Sequence, residues 1–430
     1  MFNQIIFAII FISALYLFIR NAMKIYRNIR LGKKINRHDQ SSIRLKTMFL
    51  IAFGQKKMFK KPIAAILHVI IYLGFCIINI EIIEIILDGV MRTHRILSFL
   101  GSYYNILIGS FEVLAIGVLI SCIIFLIRRN IFNIKRLNQI ELNNGPKSDA
   151  NFILIIEILL MSAFLFMNAA DYKLQLLNIE PYKNVGSFPI SKHLIHILPS
   201  TVDTLIHIER FCWWFHIIGV LAFLNYLPIS KHLHIFLAFP NTYFSNLNPK
   251  GKFNNLESVT LEVKSILDPS LPPPTQEIAT LGVKDVQDLS WKNLLDAYTC
   301  TECGRCTAAC PANITGKKLS PRKIMMSTRS RISEVGKNID KNKEYINDGK
   351  SLIDTYITRE EIWACTSCNA CVEQCPVNIN PLEIIIGLRQ YAIMEESNAP
   401  SSISNMLSNL ENNGAPWKYS QADRANWTQF

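Results

Sequence analysis

The chain has 430 residues, half of them hydrophobic, and a formal net charge of +12. The apolar content is high for a soluble protein, and the apolar residues concentrate in the first 240 positions, which indicates a membrane domain. The positive charge does not indicate nucleic-acid binding, because the basic residues flank the apolar stretches and no nucleic-acid-recognition motif is present.

Five apolar stretches are long enough to cross a bilayer, which takes about 20 residues. They are residues 2–19, 62–87, 105–127, 151–170 and 208–239. The first stretch has no basic segment before it and no small-residue cleavage site after it, so it predicts a retained anchor rather than a signal peptide. We therefore predict a membrane domain of five spans over residues 1–240. The alternative is a soluble protein with a very apolar helical core.

Basic residues are unevenly distributed between the loops. The segments after the first and third stretches are rich in lysine and arginine, whereas the loop after the second contains only Arg92 and Arg95 as basic residues. By the positive-inside rule, the N-terminus then lies outside and the C-terminal half lies in the cytoplasm. This pattern predicts a multi-pass protein of the bacterial inner (plasma) membrane. One predicted partner is therefore the lipid bilayer.

Histidines in two of the predicted spans suggest a haem site. The second span contains His68, and the fifth contains His216 and His234. Because these spans run antiparallel, His68 and His234 fall near the cytoplasmic face, where they could hold a b-type haem between them. His216 precedes His234 by about 27 Å along a helix and could hold a second haem, although Ile78 offers no partner there. The alternative is that these histidines are simply packed or hydrogen-bonded.

Further polar residues lie near the predicted outer face. Glu81 and Glu84 come late in the second span, where a carboxylate could take protons from a quinol; the favoured alternative is that both side chains reach the interface. His94 and His207 are predicted to meet there, as a haem or quinone site or as loop histidines without a role. No role is assigned to His38, His193, His196 and His232.

The composition changes after the fifth span. Residues 241–290 are rich in asparagine, proline and serine, and they include three consecutive prolines at 272–274. Such a segment predicts an extended connector that lies against the membrane face or against the next domain.

Eight of the eleven cysteines form two identical cassettes with the spacing C-x-x-C-x-x-C-x-x-x-C-P. This is the bacterial [4Fe–4S] spacing, in which three neighbouring thiolates hold one cluster together with a fourth from the other cassette. We therefore predict two [4Fe–4S] clusters. Cluster one is assigned to Cys300, Cys303, Cys306 and Cys375, and cluster two to Cys365, Cys368, Cys371 and Cys310.

Other interpretations of the cysteines are weaker. Zinc prefers four ligands in two pairs, so the third step of each cassette would be superfluous, and a disulfide framework belongs to a small secreted domain. Free cysteine in an apolar run behaves as a small hydrophobic residue, so three further cysteines receive no role. These are Cys76, Cys122 and Cys212.

The segment between the cassettes is too long for a compact β-type ferredoxin. Helical character at Pro321–Val335 and Asp354–Trp363 predicts an α-helical two-cluster domain over residues 291–395. The polar tail, residues 396–430, is predicted to contain one short helix, Ser402–Leu410, and is either a docking segment or disordered. The predicted fold class is therefore all-α, a five-span transmembrane helix bundle followed by a cytoplasmic two-cluster [4Fe–4S] ferredoxin domain.

The segment Leu227–Pro240, LPISKHLHIFLAFP, resembles the last span of the cytochrome b (gamma) subunit of respiratory nitrate reductase. That family binds two haems with two histidines on each of its second and fifth spans. The resemblance implies that His216 and His234 are the fifth-span pair and that His68 is the inner histidine of the second span. The other second-span position falls near Ile78, where this chain departs from the family.

The segment Trp291–Cys306, WKNLLDAYTCTECGRC, resembles the α-helical ferredoxin of the heterodisulfide-reductase type. Related membrane proteins fuse this module to the cytochrome-like one. Larger members continue into domains with paired Cys-Cys-Gly motifs, which this chain lacks. The resemblance therefore implies that the site that reacts with the terminal substrate or carrier lies on another subunit.

Together these features predict a membrane-bound electron-transfer subunit. It would pass electrons between the quinone pool and a cytoplasmic partner, a cysteine-rich subunit or a flavoprotein, through one or two b haems and two [4Fe–4S] clusters. Two alternatives stay open. One is a membrane-anchored ferredoxin without haem that acts as a carrier or an assembly scaffold, and the other is a quinone-linked oxidoreductase acting on electron-transferring flavoprotein.

Overall fold

The computed structural model describes residues 2–143, 145–249, 251–253, 255–270 and 280–429. Over these residues the predicted fold class is confirmed, since the chain is all-α with five membrane-length helices before the cysteine-rich part. The first half contains α1 (Phe2–Ile29), α2 (Ser41–Met48), α3 (Pro62–Met91), α4 (Ser102–Asn130), α5 (Pro146–Leu176), α6 (Ser191–Leu194), α7 (Val202–Tyr226) and α8 (His234–Tyr243). The second half contains α9 (Glu257–Leu267), α10 (Trp291–Thr299), α11 (Arg305–Ala308), α12 (Pro311–Ile314), α13 (Pro321–Asn342), α14 (Arg359–Trp363), α15 (Ala370–Gln374), α16 (Pro381–Met394) and α17 (Ser401–Asn413).

The membrane bundle consists of α1, α3, α4, α5 and α7. These helices have 25 to 31 residues, so each is longer than the hydrocarbon core of about 30 Å and its ends reach the headgroup layers. The α5 helix packs between α4 and α7, whereas α1 covers α3 and α7 from one side. Ile5, Ile9 and Ile12 of α1 are exposed in the isolated chain, as expected of side chains that face lipid.

The fifth predicted span is not one continuous helix. The α7 helix ends at Tyr226, two short 3₁₀ turns follow, and α8 begins at His234. The cause is Pro228, which cannot donate a backbone hydrogen bond and whose ring obstructs the preceding turn. The separation predicted between His216 and His234 assumed one straight helix and is therefore wrong. The chain between α7 and α8 forms a compact turn at one end of the bundle, here called the inner end.

The two cassettes have the same backbone conformation. Glu302 and Gly304 in the first, and Ser367 and Asn369 in the second, adopt the left-handed conformation at equivalent positions. A Cβ at Gly304 would meet the Arg322 side chain at 2.5 Å, so this position requires glycine, whereas asparagine tolerates the same conformation in the second cassette. The short helices α11 and α15 follow these pairs and pack against each other. The C-terminal domain, α10 to α16, is thus built from two similar halves.

A longer helix follows each cassette, α13 after the first and α16 after the second. Both helices have proline at their first position. The predicted helix from residue 321 is confirmed and extends to Asn342. The predicted helix 354–363 begins only at Arg359, because the Thr358 side chain caps it in a reciprocal capping box with Glu361.

The connector and the tail are more helical than predicted. The connector contains the helix α9. Its three prolines at 272–274, on which the prediction of an extended segment depended, lie outside the described residues. The short helix predicted in the tail is confirmed as α17 and is slightly longer. The boundaries between the domains stay predictions.

The C-terminal domain contacts the inner ends of the spans. The central contact is Arg322 of α13, which is fully buried. Its guanidinium donates hydrogen bonds into the loop between α4 and α5, to the carbonyl of Arg136 (2.6 Å), Gln139 Oε1 (3.0 Å) and Glu141 Oε1 (2.8 Å). The α1 helix also packs against α10 and α13, so the cassettes are held next to the inner end of the bundle.

Candidate redox centres

The eight cassette cysteines form two groups in space. Burial raises the pKa of the Cys375 thiol to about 12, and Cys303 of the first cassette, a close neighbour, contributes to this shift. In the second cassette, burial raises the pKa of Cys371 to about 12, with contributions from Cys365 and from Cys310 of the first cassette. The last thiol of each cassette thus lies near thiols of the other cassette, and the assignment of the eight cysteines to two clusters stays a prediction.

This donor set fits iron–sulfur clusters. Over the described part of the chain, no three histidine, cysteine or acidic side chains converge on a point that would hold a single metal ion. A cubane does not require such convergence, because each thiolate binds a different iron. Backbone amides already donate to the sulfurs, from Ser367 to Cys365 Sγ (3.4 Å) and from Ile379 to Cys375 Sγ (3.3 Å). Hydrogen bonds of this kind tune the potential of a cluster.

Glu302, between Cys300 and Cys303, joins the first cassette to the membrane bundle. Its buried carboxylate accepts hydrogen bonds from Lys231 Nζ (2.6 Å), in the turn before α8, and from Arg329 of α13. Burial alone would raise the pKa of Glu302, but Arg329 and Lys231 together hold it below its usual value. The carboxylate is therefore charged at neutral pH and binds the cassette to the turn between α7 and α8.

Three histidines meet at the inner end of the bundle. The ring centroids of His68 and His234 are 6.3 Å apart, and those of His232 and His234 are 5.5 Å apart. Nδ1 of His68 lies 3.0 Å from Gln55 Oε1, and Nδ1 of His234 lies 3.1 Å from the carbonyl of Lys231. Because both partners are acceptors, they hold the ring proton on Nδ1 and leave Nε2 free as a metal ligand.

The spacing of His68 and His234 fits a haem iron between them. Two metal–nitrogen bonds of about 2 Å, plus the distance from each nitrogen to its ring centre, separate the centroids of opposed imidazoles by about 6 Å. A cavity of about 470 Å³, here called the inner cavity, adjoins both rings. Arg128, Arg129 and Arg136 line it as well, and cations of this kind suit the propionates of a haem. The structure therefore brings the predicted pair together in surroundings that fit the group.

His216 lies deeper in the bundle. Its side chain is 1% exposed, and its Nδ1 is 3.0 Å from the carbonyl of Leu160. It lines the inner cavity together with Ile78 of α3, and α3 contains no histidine besides His68. The side chains around the inner cavity thus fit one bis-histidine haem, and His216 lacks a partner of its own kind on α3.

His232 is a residue that sequence analysis assigns no role. Its ring lies next to His234 and packs edge-on against Phe223 at 5.2 Å. The tight turn after Pro228 brings it there, because the Ser230 side chain accepts a hydrogen bond from the His232 amide. The proline inside the apolar stretch was the available signal for this turn.

At the opposite end of the bundle, here called the outer end, Glu81 and Glu84 are buried. The favoured sequence interpretation, that both side chains reach the interface, is therefore wrong. Each residue is 3% exposed. The loop after α3 folds back and inserts Arg95 into the bundle, where its guanidinium donates to Asp171 Oδ2 (2.6 Å) and Asn168 Oδ1 (2.9 Å). The amide of Leu97 in the same loop donates a hydrogen bond to the Glu84 carboxylate (2.9 Å).

The two outer histidines have different surroundings. His94 is 14% exposed and lies 3.4 Å from Asp171, whereas His207 is 77% exposed and lies next to Asp203. They share no partner, so the predicted common site at the outer interface is not formed by this pair.

Comparison with known proteins places these features among iron–sulfur electron-transfer proteins. Residues 299–379 match the family model described as a 4Fe-4S dicluster domain. The chain is 29% identical, over 99% of its length, to the Bacillus subtilis protein named “Probable iron-sulfur-binding oxidoreductase FadF”, of which it covers 60%. It is 27% identical, over 92% of its length, to the EtfAB:quinone oxidoreductase of Syntrophomonas wolfei, of which it covers 55%.

A third relative matches a shorter part of the chain. Over 28% of this chain, the sequence is 31% identical to a subunit of the ferredoxin:CoB-CoM heterodisulfide reductase of Methanosarcina acetivorans, and it covers 40% of that subunit. No solved structure matches the chain. The chain spans less than two thirds of the length of these relatives. The predicted resemblance to heterodisulfide-reductase ferredoxins is confirmed, and the one to a nitrate-reductase cytochrome b stays a prediction. The protein is therefore a membrane protein with a 4Fe–4S dicluster domain whose relatives are iron–sulfur oxidoreductases or their subunits.

Proposed function

We propose that the protein is a membrane-bound electron-transfer subunit that connects a quinone pool with a cytoplasmic redox partner. The observation that carries this proposal is the inner cavity, which adjoins His68 and His234 on one side and Cys303 of the first cassette on the other. Haem ligands and cluster ligands thus share one cavity. A short gap between redox centres matters because electron tunnelling falls steeply with distance.

His68 and His234 are the residues that would hold the iron of a b-type haem. The hydrogen bonds at their Nδ1 atoms fix the tautomer and orientation of both rings. Arg128 and Arg129 are placed to bind its propionates. When bound, the haem supplies a one-electron redox centre within the membrane. We propose one haem rather than two, because His216 has no histidine opposite it on α3.

The two clusters are proposed to have crossed ligands. Cluster one uses Cys300, Cys303, Cys306 and Cys375, and cluster two uses Cys365, Cys368, Cys371 and Cys310. Cluster one borders the inner cavity through Cys303, whereas cluster two approaches the surface at Cys368, which is exposed. Cluster one therefore faces the membrane bundle, and cluster two faces the partner.

The relatives suggest what lies at each end of this path. One of them is named an EtfAB:quinone oxidoreductase, and another belongs to a heterodisulfide reductase. We therefore propose a membrane quinone at one end, and a flavoprotein or a subunit with Cys-Cys-Gly motifs at the other. The basic loops after the first and third spans favour an outside N-terminus and a cytoplasmic dicluster domain.

The His68→Ala variant tests the haem. In anaerobically isolated protein, we expect this variant to lose b-type absorbance but to retain non-haem iron and sulfide, about eight atoms of each per chain. His207→Ala, which removes an exposed histidine, should leave both unchanged. Native protein with full iron–sulfur loading and no b-type absorbance would instead support an anchored ferredoxin without haem. Clusters that no quinol or quinone analogue reduces or oxidises would contradict the quinone link.

A further inference from the structure

A second cavity, of about 390 Å³, opens at the end of the bundle opposite the cassettes. We call it the outer cavity. Side chains of α1, α3, α5 and α7 line it, together with the loop after α3. Its walls combine aromatic rings with buried carboxylates that have no part in the proposed haem and cluster sites.

Glu81 is the unusual residue of this cavity. Its side chain is buried, and among the described residues no donor lies within hydrogen-bond reach of its Oε2. Glu84, one turn later, is satisfied by the amide of Leu97 (2.9 Å) and the hydroxyl of Tyr104. A buried carboxylate oxygen without a donor is costly, and inside a membrane such a residue generally serves a function. The open acceptor on Glu81 therefore indicates a ligand that donates a hydrogen bond.

The neighbouring charged groups are already paired. Arg95 donates to Asp171 (2.6 Å), and its backbone amide donates to Asp88 Oδ2 (2.8 Å). Glu209 accepts a hydrogen bond from the hydroxyl of Tyr182 (3.0 Å). Of the buried acceptors described at this cavity, Glu81 Oε2 is thus the one that is left open.

The apolar wall indicates the shape of the ligand. The ring centroid of Phe7 lies 5.7 Å from that of Trp213 and 6.1 Å from that of Trp214. Flat rings favour a flat aromatic ligand, and a carboxylate acceptor favours a neutral donor over an anion. The buried Arg95 nearby disfavours a metal cation. The headgroup of a quinol combines an aromatic ring with hydroxyl donors and is delivered by the bilayer.

The outer and inner cavities are neighbours. On α3, Glu81 lines the outer cavity and Ile82 lines the inner one. On α7, Trp213 lines the outer cavity and His216 lines the inner one. We propose that the outer cavity binds the headgroup of the membrane quinone or quinol, and that the Glu81 carboxylate exchanges a proton with it. This inference rests on the proposed function, because it places the quinone link of that function at the outer end of the bundle.

Oxidation of a quinol to a quinone releases two electrons and two protons. The electrons would leave one at a time toward the iron–sulfur clusters that the cassette cysteines would hold, which would be the one-electron acceptors. One proton moves from a quinol hydroxyl to the Glu81 carboxylate, and the other passes to water at the open side of the cavity. Quinone reduction is the reverse, with the same groups supplying the protons.

The test uses the full chain in detergent or lipid nanodiscs, with 2-heptyl-4-hydroxyquinoline N-oxide as a fluorescent quinol analogue. We expect Glu81→Gln, which is isosteric, to weaken binding of this probe about tenfold or more, as loss of a hydrogen bond to a charged group does. Cluster reduction by a quinol should slow in parallel, whereas reduction by dithionite should not change. Asp203→Asn removes an exposed carboxylate at the same end of the bundle and should leave both measurements unchanged.

The outcomes separate the two levels of the proposal. If native protein neither binds the probe nor accepts electrons from a quinol, the proposed function itself fails. If native protein does both and Glu81→Gln matches it, the quinone site lies elsewhere and this inference is overturned. Should Glu81→Gln unfold, Trp214→Leu supplies the same test with every carboxylate in place. An unchanged probe affinity in that variant also overturns the inference.

Discussion

Replacing Arg322 with methionine is expected to loosen the C-terminal domain from the membrane bundle. Arg322 is completely buried, and its hydrogen bonds cross from α13 to the loop that contains Glu141. Methionine keeps most of the aliphatic volume but leaves the Glu141 carboxylate, whose side chain is 17% exposed, without its cation. Breaking a buried pair from one side costs about 3–5 kcal/mol. Because Glu141 retains some contact with water, we expect a loss of about 3 kcal/mol.

Thermal unfolding under anaerobic conditions, followed by the visible absorbance of the clusters, measures this loss. For a domain of this size, about 3 kcal/mol lowers the midpoint by roughly 10–20 °C. The matched control is Lys318→Met, which breaks an ion pair with Glu360 in which both side chains are mostly exposed. Such surface pairs contribute little, so this variant should unfold with the native protein. Equal losses in the two variants would refute the role given to burial.

The double variant Arg322→Met with Glu141→Leu sharpens the test. Most of the predicted loss comes from the stranded carboxylate rather than from the missing attraction, and replacement of a whole buried pair by apolar residues is often close to neutral. The double variant should therefore recover a large part of the stability that Arg322→Met loses. If it is less stable than the single variant, the penalty does not come from the uncompensated charge.

The remaining predictions concern pH and the cysteines. Hydrogen bonds from Arg322 hold the pKa of Glu141 below its usual value of 4.5 against the effect of burial, so the stability this pair contributes is complete above pH 4.5 and is lost as pH falls through the lowered pKa. The stability that this pair gives the native protein should therefore be constant from pH 8 to pH 6, whereas the difference from Arg322→Met should narrow as pH falls, because a proton then neutralises the stranded Glu141 carboxylate. Cys310→Ser should remove the paramagnetic signal of the cluster in the second cassette and spare the other, and Cys375→Ser should do the reverse; the opposite pattern would contradict crossed ligation. After iron is chelated, iodoacetamide should alkylate exposed Cys368 before Cys371, because burial raises the pKa of the Cys371 thiol to about 12 and the thiolate is the nucleophile. Mass spectrometry of timed samples measures this order.

Local patterns in the sequence predicted much of this architecture. Apolar stretches marked all five spans, because a helix in lipid must be apolar along most of its length. The cassette spacing predicted the 4Fe–4S dicluster domain that residues 299–379 match, since the ligands of a cluster are set largely by local geometry. The helix predicted from Pro321 was found as α13. Each of these features depends on residues close to one another in the chain.

The features that sequence analysis missed depend on contacts between distant segments. Glu81 was expected at the interface because it lies late in its span, but burial there depends on the loop that inserts Arg95 beside Asp171 of α5. His232 enters the inner site only because the chain turns after Pro228. No local pattern reports where a loop folds back, so both residues needed the three-dimensional structure.

The residues of the proposed sites follow a single order from the outer cavity to the C-terminal domain. Glu81 lines the outer cavity, His216, His68 and Cys303 line the inner one, and Cys368 of the C-terminal domain is exposed. Two interactions of Lys231 hold these residues in place where the two domains meet. Its side chain binds Glu302 of the first cassette, and its carbonyl orients the ring of His234. One residue therefore positions a proposed haem ligand and a cluster loop together. A shift of the C-terminal domain would move both, which is why the same interface that determines stability is also expected to set the rate of electron transfer between the membrane bundle and the clusters.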